Sequence, residues 1–227
     1  MAPATIYRLL RRRGLQTRWE RLAVLEVHSA QSAGLLTERT RRHMTRRHQH
    51  VEATTPGELV CLDTFYIGKL KGVGKVWQYT ACDAACSYAV AQVATAFSAR
   101  AAARFLTERV LPAYRGAGRS VQRILTDQGN EYRGAFDQAC QAHAIPHTRT
   151  QPRHAWTNGF VERLQGTTLT ELWRIEFRRR FFTRVATMQD VLDRYLAFYN
   201  HQRPHLGYRT RGHTPAEIFR RAQEVPS

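Results

Sequence analysis

The chain has 227 residues and a mass of 26.2 kDa, and 43% of its residues are hydrophobic, enough for one good core or two modest ones. Lys and Arg total 35 against 18 Asp and Glu, for a formal charge of +17 and a sequence pI near 10.8, which points to a polyanionic partner, most simply nucleic acid. No apolar run approaches the roughly 20 residues that cross a bilayer, and the start carries arginines where a secretion signal needs an apolar stretch, so neither secretion nor a membrane span is expected.

Residues 1–15 read as a short amphipathic helix ending at Gly14, with Arg8, Arg11, Arg12 and Arg13 on a cationic face. Such an arginine-rich, acid-poor start also fits a mitochondrial transit peptide, but Ile6, Leu9 and Leu10 followed by three arginines favour a helix that contacts DNA. One helix cannot bury itself, and a helix-turn-helix needs a preceding helix, so residues 1–27 are expected to be the remnant of such a region in a chain truncated or started late. Residues 28–56 are polar and cationic and read as a basic linker. Charge is uneven: residues 1–56 hold 11 Arg and 4 acids, residues 57–162 hold 12 cations and 8 acids, and residues 163–227 hold 12 Arg and 6 acids. Basic flanks suit phosphates, and the acids concentrate between them. Genomic GC bias also raises arginine, which supplies 32 of the 35 cations. Cys61, Cys82, Cys86 and Cys140 form no CxxC pair and read as structural thiols of a reducing cytosol, and His43, His48 and His50 have no nearby cysteine to complete a zinc site.

The main domain is expected over 57–219, leaving 220–227 as a tail. Residues 58–67, 76–82 and 88–94 read as three consecutive strands, an antiparallel meander. Residues 98–112 read as a helix with Ser98 as its cap and a proline stop. A strand at 123–127, a helix at 134–143 and a strand at 145–150 follow, an alternation that implies parallel pairing. Residues 160–177 are helix-like, although Gly166 weakens them, and a further helix spans 187–199. The last helix, 214–223, opens with Thr214 at the N-cap, Pro215 at N1 and Glu217 at N3.

Three acids occupy unusual places: Asp63 inside an apolar strand, Asp127 at the end of a second strand, and Glu162 early in a helix. A desolvated carboxylate needs a partner, and a divalent metal tolerates several carboxylates converging on one point; pairing with arginines is the plainer alternative. The segments around these acids, ELVCLDTFY, ILTDQGNEY and TQPRHAWTNGFVERL with 34 residues between Asp127 and Glu162, together with YNHQRPHLGYRTRGHTPAE at 199–217, occur in one order. In this the chain resembles the DDE transposases and retroviral-type integrases, in particular bacterial insertion-sequence transposases with an integrase catalytic core.

The resemblance covers about residues 57–219 and implies an α/β, RNase H-like core: a mixed five-stranded sheet flanked by helices, here with a helical, basic N-terminal segment. It implies that Asp63, Asp127 and Glu162 are the catalytic acids and bind two Mg²⁺ ions, with Mn²⁺ as a substitute, Asp63 bridging and the others holding one ion each. Two such ions activate water or a 3′-hydroxyl and stabilise the departing 3′-oxygen. Partners implied are double-stranded DNA, as transposon ends and target, and further copies of the chain, in a bacterial cytoplasm. The expected function is metal-dependent cleavage at DNA 3′ ends and strand transfer, that is DNA integration and recombination by a transposase; the alternative is a truncated or domesticated DNA-binding protein without catalysis. The chain departs from the family at Ala155, where a second proline is common, and in its short amino-terminal region.

Arg153 and Arg163, with His154, lie where the family contacts DNA, and Arg178, Arg179 and Arg180 add cations; each also reads as a solvated surface charge. Phe181 and Phe182 are expected in the core. Gly129 serves either a tight turn or positive φ beside Asp127, or an ordinary loop, while Asn158 and Gly159 suit a cap for the Glu162 helix and also a close approach of the DNA backbone. Asn200, Arg203, Pro204 and His205, from the family tail, are expected to brace the carboxy-terminal helix against the core.

Overall fold

A computed structural model describes residues 3–17, 20–21, 24, 53–150, 159–207 and 210–221. The chain divides into two units, Met1–Val51 and Glu52–Ser227. In the first, α1 (Pro3–Arg12) closes through Gly14, whose φ of +63° only glycine adopts without strain. Arg8, Arg11 and Arg12 are exposed on it. Thr17 and Glu20 form a reciprocal pair of the capping-box kind: the Thr17 amide donates to Glu20 Oε2 at 2.6 Å and the Glu20 amide to Thr17 Oγ1 at 3.2 Å. Most of the expected basic linker lies outside the described residues.

The second unit is built on a five-stranded sheet in the order β3-β2-β1-β4-β5. The predicted meander forms as β1 (Val60–Leu70), β2 (Gly74–Asp83) and β3 (Ala89–Ala94), paired antiparallel. β4 (Ile124–Thr126) runs parallel to β1, and β5 (His147–Arg149) parallel to β4. Side chains alternate across β1, so Val60 and Leu62 join Tyr79, Ala81, Phe105, Leu106 and Phe136 in one buried cluster while Cys61 and Asp63 take the opposite face. The four cysteines are buried and none is disulfide-bonded.

Ser98 caps α2 (Ala99–Phe105), accepting from the Ala101 amide. The expected stop at Pro112 does not occur. A π-helical turn, Leu106–Val110, leads directly into α3 (Leu111–Gly116), so the helix continues through Pro112, and the turn shifts the ladder register immediately before the proline, the Leu111 N–H bonding to the Leu106 carbonyl. α4 (Ala135–Ala142) joins β4 to β5. α5 (Gly159–Thr168), a second π-turn (Leu169–Trp173) and α6 (Arg174–Arg179) then run in succession, and Gly166 does not interrupt them. This run is locked to the sheet by the buried Trp173, whose indole N–H donates to Gln78 Oε1 at 2.7 Å.

Phe182 is buried, edge-on to Trp173 and Phe177, but Phe181 is fully exposed, against expectation. Neighbours in extended chain point to opposite sides, so only one of the two faces the core. α7 (Val185–His201) crosses β3, where Asn200 clamps the Ala89 backbone, accepting from its N–H at 2.9 Å and donating to its C=O at 2.8 Å. Arg203 grips Glu171 of the second π-turn in a forked pair, Nη2–Oε1 2.7 Å and Nε–Oε2 3.1 Å. Asn200 and Arg203 thus fasten the end of α7 to the edge strand and to the helical run that carries Glu162. α8 (Pro215–Arg221) starts on the Thr214–Glu217 capping box.

At the end of β2, Asp83 is fully buried and receives four donors: the amides of Gly57, Ala85 and Cys86 and the Tyr114 hydroxyl, at 2.7 to 3.1 Å. It ties the entry segment, the β2–β3 turn and α3 together.

Candidate active site

β1 is the central strand and carries Asp63 opposite Thr80 of β2. β4 pairs with β1 in parallel, with Cys61 opposite Leu125. Two residues further along each strand direction stand Asp63 and Asp127, so the register brings the two acids level at neighbouring strand positions. Glu162 lies in the first turn of α5, which packs across β1 and β2. Three acids separated by 64 and 35 positions in sequence are therefore gathered by one strand pair and the helix that crosses it.

Backbone amides orient two of the carboxylates. The Thr64 N–H donates to Asp63 Oδ1 at 2.8 Å, and the Gly129 N–H donates to Asp127 Oδ1 at 2.8 Å, an Asx-turn. Gly129 has an ordinary φ of −52°, so positive φ is not its role. The need is space: a Cβ there would collide with the Glu131 carboxylate and stand 2.9 Å from Asp127 Oδ1. Glu131, in the short 3₁₀ turn Asn130–Tyr132, is only 5% exposed and is a fourth acid beside Asp127 that sequence spacing does not reveal.

Burial pushes the Asp63 carboxyl up to about 7; the Thr64 amide opposes this, and the charges of Asp127, Glu162 and Glu131 add to it. Burial likewise raises Glu131, with a contribution from Asp127. Four carboxyls thus share one local field, and Asp63 carries its penalty.

The strand end that carries Asp127 is held from the other side. The Thr126 hydroxyl donates to the Asp127 carbonyl at 2.8 Å and lies 2.9 Å from His147 Nε2. His147 Nδ1 is 2.8 Å from Asp137, on which Arg149 also closes at 2.6 Å. Burial lowers the His147 pKa, while Asp137 falls below its ordinary range because the bonds from His147 and Arg149 outweigh its own desolvation. These residues position a strand; they do not face the acids.

Among the described residues no three acidic, histidine or cysteine side chains close round one ion position. The donor set nevertheless suits a hard divalent cation: carboxylate oxygens, that of Asp63 half-buried and raised by desolvation and by like charges that a cation would neutralise.

Of the expected DNA-contacting residues, Arg163 is exposed next to Glu162 and lines a cavity of about 230 Å³ with Phe160, Thr167, Tyr199, Arg203 and His205. Arg178 and Arg179 are exposed at the end of α6, whereas Arg180 pairs with Glu176 at 2.7 Å. Arg153, His154 and Asn158 lie outside the described residues. Arg8, Arg11 and Arg12 belong to the first unit. No helix among the described residues is long and apolar enough to cross a membrane.

Residues 53–155 match a family model described as integrase core domain, and residues 143–211 match a second model of the same description. A search of curated proteins gave no match. Among solved structures, the chain is similar to one from the simian T-cell lymphotropic virus intasome in complex with PP2A regulatory subunit B56 gamma: 20% identity, TM-score 0.64, covering 91% of this chain and 72% of that one. It is also similar to the HTLV-2 integrase catalytic core domain in complex with magnesium, in its trimeric form (16% identity, TM-score 0.56, 74% and 99% covered). A third is the BIV integrase catalytic core domain (19% identity, TM-score 0.55, 74% and 97% covered). At these identities the likeness is one of fold, and the fold is the mixed, helix-flanked sheet expected of an RNase H-like core.

Proposed function

Because residues 53–211 carry an integrase core domain of RNase H-like fold, we propose that the protein is a Mg²⁺-dependent DDE transposase of an insertion sequence, which cleaves DNA at 3′ ends and joins them to target DNA. What supports this reading most is Asp63: a half-buried carboxyl in the central strand under the charges of three further acids, an arrangement that phosphoryl transfer uses and that a plain DNA-binding module has no need of. Asp63, Asp127 and Glu162 would hold two ions, with Asp63 shared, and Mn²⁺ would substitute. Bound there, the ions supply activation of the attacking oxygen and stabilisation of the leaving 3′-oxygen.

The chain's own residues supply position. β1 fixes Asp63, the Gly129 amide fixes the Asp127 rotamer, and α5 carries Glu162 on a helical run anchored by Trp173, Glu171 and Arg203. In the first step water forms a bond to phosphorus and the P–O3′ bond breaks, freeing a 3′-hydroxyl. In the second that hydroxyl attacks a target phosphodiester and displaces another 3′-oxygen. Arg163, Arg178 and Arg179, with Arg153 and Arg8, Arg11 and Arg12, are proposed to meet phosphates. Joining two ends to one target calls for several copies on double-stranded DNA, in a bacterial cytoplasm and on the nucleoid when bound.

The test is incubation of the full chain with labelled duplex from the element's ends, with and without Mg²⁺. Joined products that require the ion are expected. Cutting without joining would mark a hydrolytic nuclease, and binding without products would mark a non-catalytic DNA-binding protein. Gly129→Ala is expected to lower joined product about tenfold or more while leaving the far-ultraviolet spectrum unchanged, since the methyl displaces the Asp127 and Glu131 carboxylates by tenths of an ångström or more.

A further inference from the structure

The β1–β2 hairpin extends past Asp63 as an arm of unusual composition. All three lysines of the chain, Lys69, Lys71 and Lys75, fall within seven residues on it, whereas the other 32 cations are arginine. All three are exposed, and no acid occurs from residue 64 to residue 82. Lys69 stands directly opposite Lys75 in the strand register, a like-charge pair that costs stability by itself and is relieved by a polyanion.

The same arm carries exposed aromatic surface. Tyr66 pairs across the strands with Trp77, edge-on at 5.2 Å, and Trp77 stacks on Phe97 at 4.4 Å. Tyr66 is 47% and Phe97 44% exposed, well above what stacked rings in a core show. Tyr66 follows Asp63 by three strand positions in unbroken register, so Tyr66 and Trp77 lie on the face of the sheet opposite the Asp63 side chain, and Lys69 and Lys75 share their face beyond the bulge that follows Tyr66.

We infer that this face of the arm, away from the acids, is a binding surface for an unpaired DNA strand, which stacks a base on Tyr66, Trp77 and Phe97 and lays its phosphates on Lys69, Lys71 and Lys75. Aromatic rings flanked by cations with no nearby acid are what a splayed strand recognises, because every base has a π-face and every nucleotide a phosphate. This deepens the DNA-transfer reading and rests on it.

The test uses the full chain and two labelled duplexes, one blunt and one with a three-nucleotide unpaired tail carrying 2-aminopurine. Tighter binding of the tailed duplex and quenching of the 2-aminopurine are expected for the wild type. Trp77→Ala should weaken the tailed duplex about tenfold and abolish quenching, with blunt binding unchanged. Tyr66→Ser and Phe97→Ser, at exposed positions, should act in the same direction and guard against misfolding of the Trp77 variant. Replacing the three lysines with Gln should lower the slope of log affinity against log salt by about 2.

Equal binding of blunt and tailed duplexes by wild type and variants, with joining intact, would overturn the arm proposal alone. So would a loss of self-association in the variants with tailed binding preserved, which would make the arm a contact between copies. Failure of the wild type to bind any DNA at low salt would instead overturn the DNA-transfer reading beneath it.

Discussion

Asp63→Asn should stabilise the metal-free protein and remove its activity. Burial and the charges of Asp127, Glu162 and Glu131 raise the folded-state pKa of Asp63 to about 7 from an ordinary 3.8. The folded protein therefore holds a proton that the unfolded chain has released between about pH 4 and pH 7, and stability falls as pH rises through that window. At pH 8 the full penalty is present, at most about 4 kcal/mol from a shift of roughly three units. Asn stays neutral at every pH and its Oδ1 still accepts from the Thr64 amide. The variant should melt up to about 10 °C higher at pH 8 and show almost no gain at pH 4. Mg²⁺ should raise the melting temperature of the wild type and leave that of the variant unchanged. Thermal melts from pH 4 to pH 8, with and without Mg²⁺, check this. A variant less stable than wild type at pH 8 would show that Asp63 is compensated within the fold.

Asp83→Ala has the opposite sign and a comparable size. Asp83 is fully buried, and its removal leaves the Gly57, Ala85 and Cys86 amides and the Tyr114 hydroxyl without their acceptor. Each buried donor left unpaired costs on the order of 1 to 3 kcal/mol, and partial repacking brings the expected loss to roughly 4 kcal/mol. Asp83→Asn should fall between, since one of its two terminal atoms is a donor facing donors. Urea denaturation with an unchanged slope and a lower midpoint is the expected observation. An unchanged midpoint would mean that water replaces the carboxylate. Burial raises both carboxyls, but Asp83 accepts from four donors that alanine would orphan, whereas Asp63 accepts from one amide and faces three further acids, so the two respond oppositely.

That contrast also marks how far the sequence carries. Asp63 stands out because an acid in ELVCLDTFYI breaks an apolar run, and Asp127 and Glu162 because they end a strand and begin a helix. Asp83 gives no such signal, since an acid at a strand end before a turn is common, and its four donors come from segments up to 31 residues away. Glu131 hides for a related reason: its neighbourhood is made by a 3₁₀ turn that folds its carboxylate back towards Gly129.

The strands were legible from alternation and β-branched content, and their parallel or antiparallel sense from what separates them. Helix continuity at Pro112 was not, because π-turns leave no periodic trace. The exposure of Phe181 beside the buried Phe182 depends on which way an extended stretch enters the core, a tertiary matter. The Arg180–Glu176 pair, by contrast, lies at i,i+4 spacing and is readable in advance.

The most direct test of the metal-dependent transfer account is single-turnover strand transfer in Mg²⁺ with a pre-nicked end duplex, comparing wild type with Glu162→Gln at matched DNA occupancy. Glu162 is exposed at the start of α5, so its amide should leave the fold intact. Joined product is expected from the wild type, with a fall of about a hundredfold or more in the variant and DNA affinity unchanged. Joined product at the wild-type rate from Glu162→Gln would contradict that account.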